Sequence, residues 1–206
     1  MVQQYKNVCM ETIIDLDSLL TYRKDIQNLI AENSPKVKMN ESIAHAAIVH
    51  SLILDNAREN HWPVNMYCGE LSIYQDNTKE EIEAMVPDLK GKPDSDHPYI
   101  CLMKSLSNFF AADGHMNVIL DNPISGLSNQ NLWQYIKTPL ENGQLNVRIL
   151  ASDFGIKHFT VAGGMYRCEI SHKKKDAFCC FNSQKAETLK KGFETLSLYT
   201  KDIAVN

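Results

Sequence analysis

The stretch KHFTVAGGMYRCEISHKKKDAFCCFN, residues 157–182, decides how this chain arranges its chemistry. Gly163-Gly164 divides two runs of strand-forming residues. A Gly-Gly pair makes a two-residue hairpin turn because it tolerates φ > 0 at both positions. With that pair as the loop, Ala162 pairs with Met165, Thr160 with Arg167 and His158 with Glu169. Side chains alternate faces along a strand. His158, Thr160, Arg167 and Glu169 therefore share one face, while Phe159, Val161, Tyr166 and Cys168 share the other. One face is apolar and the other carries a His/Glu/Arg/Thr cluster, the leading candidate site of the chain.

A solvated sheet face with a His158–Glu169 ion pair would explain the same pattern. Helices elsewhere in the chain are expected to cover both faces of the sheet, and an uncovered polar face then lines a cleft. A histidine oriented by a carboxylate suits general acid–base or nucleophilic work. An arginine and a hydroxyl beside it suit an anionic oxygen. The loop that follows, His172-Lys173-Lys174-Lys175, adds cationic groups that attract phosphate, although a solvated loop tip reads the same way.

Outward from the hairpin, strands and helices alternate. Residues 1–33 are polar and helical in places, with Ile26, Leu29 and Ile30 at helix spacing before Ser34-Pro35 ends the segment. Asn40 is a candidate N-cap for an apolar, well-buried helix to about Asn60, in which His45 and His50 read as core or boundary histidines. A strand starts at Val64 with a break near Gly69. Residues 75–98 read as a short surface helix and a long loop, 99–110 as a helix and 116–120 as a strand. Asp121-Asn122-Pro123 makes a turn, and Ser128 is placed to cap a helix that stops near Pro139. Strand 146–151 follows the Asn142-Gly143 turn. After the hairpin come strand 177–182 and a helix from about Gln184 to Tyr199, capped by Ser183 and striped by Ala186, Leu189, Phe193 and Leu196. This order predicts a layered α/β mixed sheet with helices on both faces, residues 40–206, preceded by a helical N-terminal extension, 1–39.

At 206 residues, 44% hydrophobic and 22% charged, the chain can bury a sizeable core. A net charge of −4 and a pI near 6.0 argue against a protein that mainly coats duplex DNA. No apolar run approaches the roughly 18–20 residues of a membrane span, and no signal peptide is evident at the start. Six cysteines without a C-x-x-C pair suit a reducing cytoplasm better than a disulfide scaffold or a zinc site. The motifs that cradle nucleotides or mark zinc and serine hydrolases are missing.

Residues 157–196 resemble the C-terminal part of a phospholipase D-like domain. K-H-F-T-V-A-G-G-M-Y-R-C-E is similar to that superfamily's H-x-K strand and turn, and F-N-S-Q-K-A-E-T-L-K-K-G-F to its strand-to-helix phrase. The resemblance implies a phosphodiesterase-type site needing no metal or cofactor, with His158 as nucleophile or acid/base and Glu169 orienting it. Thr160 stands where the family has its lysine, and the Gly163-Gly164 turn with Met165 where an acidic residue is usual. Arg167, opposite Thr160, is placed to restore the missing charge. Thr160, Arg167, Lys173, Lys174 and Asn182 are the expected phosphate-binding residues. One motif copy implies a homodimer, because two halves meet in that family's site.

The resemblance implies a nucleic-acid or other phosphodiester binding protein with weak or lost nuclease activity. The competing reading is a non-enzymatic assembly subunit of a larger complex that keeps only the fold. An unrelated α/β enzyme with a His/Glu dyad stays open beside both.

Overall fold

The hairpin forms in the expected register: Thr160 pairs with Arg167, Val161 with Tyr166 and Ala162 with Met165. The Glu169 amide donates to the His158 carbonyl at 2.9 Å, which extends the pairing to the two candidate catalytic residues. The computed structural model describes residues 13–124, 127, 130–152, 154–170, 177–179 and 182–202, with the backbone alone at 177–179 and 202. In chain order the elements are α1 (Leu16–Ala31), β1 (Val37–Met39), α2 (Ile43–Asn60), β2 (Val64–Cys68), α3 (Asn77–Met85), α4 (Pro98–Ala111), β3 (Met116–Leu120), α5 (Trp133–Glu141), β4 (Leu145–Leu150), β5 (Phe159–Ala162), β6 (Met165–Cys168), β7 (Ala177–Cys179), α6 (Ser183–Ser197) and β8 (Thr200–Asp202).

Among the described residues these strands form one eight-stranded sheet in the order β1-β7-β6-β5-β2-β3-β4-β8. The three strands β2, β3 and β4 are parallel, and the remaining pairings are antiparallel. Helices cover both faces, as the alternation of elements predicts. One face carries the larger core, built largely from α1, α2 and α4 with Val64, Met66 and Val118 of the sheet. The other face packs Tyr67, Ile119, Phe159, Val161 and Tyr166 against Ala186, Leu189, Phe193 and Leu196 of α6. The apolar face of the hairpin and the stripe of the last helix are thus two halves of one small core.

Segment 1–39, the expected N-terminal extension, contributes α1, whose Leu19 and Ile26 are fully buried, and β1, which pairs with β7 at one edge of the sheet. Ser42 rather than Asn40 caps α2: its hydroxyl accepts from the His45 amide. Likewise Asn182 rather than Ser183 caps α6, accepting from the Lys185 amide at 3.0 Å. Both caps shift by one or two residues because several polar side chains compete for each helix start and tertiary contacts choose between them. Helix α5 stops near Pro139 as expected, with the proline itself inside the last turn. Its ring removes only one helical hydrogen bond, it is buried against the core, and the helix ends two residues later before Gly143 at φ +80°. The Ser128 cap falls outside the described residues.

The hairpin turn is also a packing contact. Gly163 holds φ +53°, and a Cβ there would clash with the Trp62 ring. Gly163→Ala combines left-handed strain with a ring clash and is expected to cost about 2 kcal/mol or more, read as a lowered midpoint in thermal or denaturant unfolding. An unchanged midpoint would show that Trp62 does not close over the turn.

Candidate functional site

Four of the candidate residues, His158, Thr160, Arg167 and Glu169, meet around one cavity, with partners the sequence did not reveal. His158 immediately precedes β5, opposite the end of β2, and lies at the carboxyl end of the parallel strands, where ligands commonly bind in open α/β sheets. Its Nδ1 lies 3.1 Å from Glu169 Oε2 and its Nε2 lies 2.7 Å from Asp121 Oδ2. Asp121 directly follows β3, and its other oxygen accepts from the Tyr67 hydroxyl at 2.6 Å. The Tyr67 and His158 rings meet edge to face at 5.2 Å. A Cβ on Gly69 would stand 3.5 Å from His158 Cε1, an ordinary contact, so the residue after β2 lies against the edge of the ring.

Carboxylates only accept hydrogen bonds, so an imidazole can satisfy both neighbours only by carrying a proton on each nitrogen. The pKa of His158 is accordingly raised above its ordinary value, chiefly by Glu169 and then by Asp121, against the opposing effect of burial.

Thr160 and Arg167 lie deeper, 2% and 7% exposed. The polar hairpin face is therefore not an open cleft as expected. It is closed by α2 and the segment before it, because a buried guanidinium requires partners. Arg167 Nε donates to Asn40 Oδ1 at 2.9 Å, and Asn40 Nδ2 donates in turn to the Ser42 carbonyl at 3.1 Å. His50 of α2 is buried above the same face, its Nδ1 3.2 Å from the Tyr74 hydroxyl. Burial and the nearby Arg167 charge hold His50 well below its ordinary pKa, so it is neutral. Its reading as a core histidine agrees with this environment. Between these groups lies a cavity of about 140 Å³ lined by His50, Cys68, His158, Thr160, Arg167 and Glu169, among others. Cys68 contributes a neutral thiol, pushed up to about 12 mainly by burial, and so no thiolate nucleophile.

The fold has solved counterparts. The chain is similar to TrmBL2, an archaeal chromatin protein described as showing a novel mode of DNA binding, at 10% identity and a TM-score of 0.53, over 91% of this chain. It spans 64% of the length of that structure. It is also similar to Nuc, a phospholipase D family member from Salmonella typhimurium, at 12% identity and a TM-score of 0.49, over 82% of this chain and 99% of that one. At these identities the likeness to TrmBL2 is one of fold. No family model matches the sequence, and no curated protein does.

Of the expected site residues, the structure brings His158, Thr160, Arg167 and Glu169 around one cavity. Asn182 is spent on capping α6. Lys173 and Lys174 lie outside the described residues. Sequence reasoning missed Asp121, Tyr67 and Asn40. Asp121 reads locally as a turn residue before Pro123, and only the pairing of β3 beside β2 brings it to His158.

The proton held on His158 has a measurable consequence. A group whose pKa is raised by folding stabilises the fold fully below its unfolded value, about 6.5, and that contribution disappears as pH rises through the folded pKa. The carbon-bound ring protons of His158 are expected to titrate above that value by NMR, and Glu169→Gln to lower the midpoint. A midpoint at or below the ordinary value would contradict the double carboxylate clamp.

Proposed function

We propose that this chain is a phosphodiester-binding domain of the phospholipase D-like type, with nucleic acid as its ligand and with hydrolysis weak or lost. The observation that carries the reading is the hairpin pair Thr160–Arg167 beside His158–Glu169. A histidine, an orienting carboxylate and a fixed cation share one cavity, with the arginine across the strand pair from the position of the missing lysine. The DNA binding of TrmBL2, whose fold the chain shares, supports nucleic acid as the ligand class.

The weakness of the chemistry follows from Asp121. A nucleophilic imidazole needs one unprotonated nitrogen facing phosphorus, and here Nε2 faces a carboxylate at 2.7 Å. Asp121 and Glu169 also balance the charges of His158 and Arg167, so the cluster offers an incoming phosphate little net attraction. A phosphate oxygen must replace Asp121 on Nε2–H to bind, and Asp121 then acts as an internal competitor. This geometry also favours the second reading, an assembly subunit that keeps the fold and has lost the reaction.

Asp121→Ala is the informative change. It removes a negative charge and opens the Nε2 face, so affinity for a single-stranded oligonucleotide, followed by fluorescence anisotropy, is expected to rise about tenfold, while Arg167→Lys weakens it. In EDTA the unaltered chain is expected to bind DNA or RNA with little or no cleavage, and any cleavage to vanish in His158→Ala. Indifference of every variant to nucleic acid would move the assignment to the assembly subunit.

The single motif copy adds a homodimer to the proposal. Phe154, Ile156 and Ile170 are exposed apolar side chains in the segments flanking His158, where a second copy would cover them. Ile156→Asp with Ile170→Asp is expected to convert a dimer into a monomer in light scattering. A monomeric unaltered chain would remove the dimer from the proposal.

A further inference from the structure

A second polar concavity lies over the carboxyl-terminal half of α2, between α1 and α4. At about 630 Å³ it has the volume of a small-molecule site and shares no lining residue with the His158 cavity. Its charges are unevenly paired. Arg58 of α2 reaches both carboxylates of the groove, at 4.0 Å from Asp55 and 3.5 Å from Glu59. Arg23 on α1 and Lys104 on α4 have no carboxylate within ion-pair distance among the described residues. Arg23 bridges to the segment before α4, its Nη1 donating to the Ser95 carbonyl at 2.6 Å. Its Nη2 is buried without a hydrogen-bond partner among the described residues. A buried guanidinium nitrogen with unmet donors is costly to keep, and rotation of the Arg23 side chain into the groove would bring it to an acceptor there. On the floor, Ser105 donates to Asp55 at 3.0 Å. Burial raises the Asp55 pKa despite that hydrogen bond and the nearby arginines.

We propose that this groove binds a hydroxylated organic anion of the sugar-phosphate class. The anionic group lies between Arg23 and Lys104, and the ligand's hydroxyls donate toward Asp55. Both cations supply charge, and the Arg23 guanidinium adds planar donors for phosphate oxygens. Asp55 rejects a bare anion at the centre of the groove and accepts a hydroxyl there, so it selects a ligand with an uncharged polar body behind its charged end. The site is independent of the phosphodiester reading, because it uses none of that cavity's residues.

Titration calorimetry with ribose 5-phosphate, glucose 6-phosphate and 5′-AMP, against ribose and inorganic phosphate at matched ionic strength, tests this. At least one phosphorylated probe is expected to bind more tightly than inorganic phosphate, and ribose not to bind. Lys104→Gln, an exposed change that leaves the core intact, is expected to weaken that probe at least tenfold, as is Arg23→Gln. His158→Ala is expected to leave it unchanged. Silence of all three phosphorylated probes overturns the proposal. So does binding that survives Lys104→Gln but is lost in His158→Ala, which would assign the phosphate to the hairpin cavity instead.

Discussion

The charge of Arg167, buried in the middle of the sheet, constrains much of what surrounds it. Desolvating a guanidinium is tolerable only when its donors are met, and Asn40 meets one of them from a point 127 residues away. That bond fixes the chain just before α2 over the polar face of the hairpin. Asn40 then cannot also cap the helix, and Ser42 does so. With the start of α2 held there, Ile43, Ala46 and His50 close the cavity from above. A single buried cation thereby turns what would be a solvated sheet face into an enclosed one.

His158 is held from two sides by elements that arrive independently. Glu169 comes from the partner strand of its own hairpin, so its position follows from a two-residue turn. Asp121 comes from the end of β3, and its position depends on β3 running parallel beside β2. Tyr67, packed in the α6 core, holds the outer oxygen of Asp121 and ties the clamp to that core. The result is a histidine stabilised as imidazolium. In that state both ring N–H groups are already engaged by carboxylates, and neither nitrogen carries a free lone pair.

Local patterns revealed the parts of the site that lie close together in sequence. The Gly163-Gly164 turn, the strict alternation on both sides of it and the Ala186/Leu189/Phe193/Leu196 stripe made the hairpin register, its apolar face and the last helix legible. Each depends on backbone geometry over a few residues. Asp121 and Asn40 were not legible, because turn and cap residues have many local uses and their side chains are assigned only when distant strands meet.

The sequence by itself determined which side chains share the polar face of the hairpin, since a pleated strand alternates by geometry alone. It also determined that helices would layer both faces of a mixed sheet, since apolar stripes at helical spacing must be buried. Only the tertiary structure decided that this face is covered rather than open, and that both nitrogens of His158 meet carboxylates. The order of strands in a sheet and the satisfaction of a buried charge are settled by contacts between residues far apart in the chain, and local sequence carries no record of them.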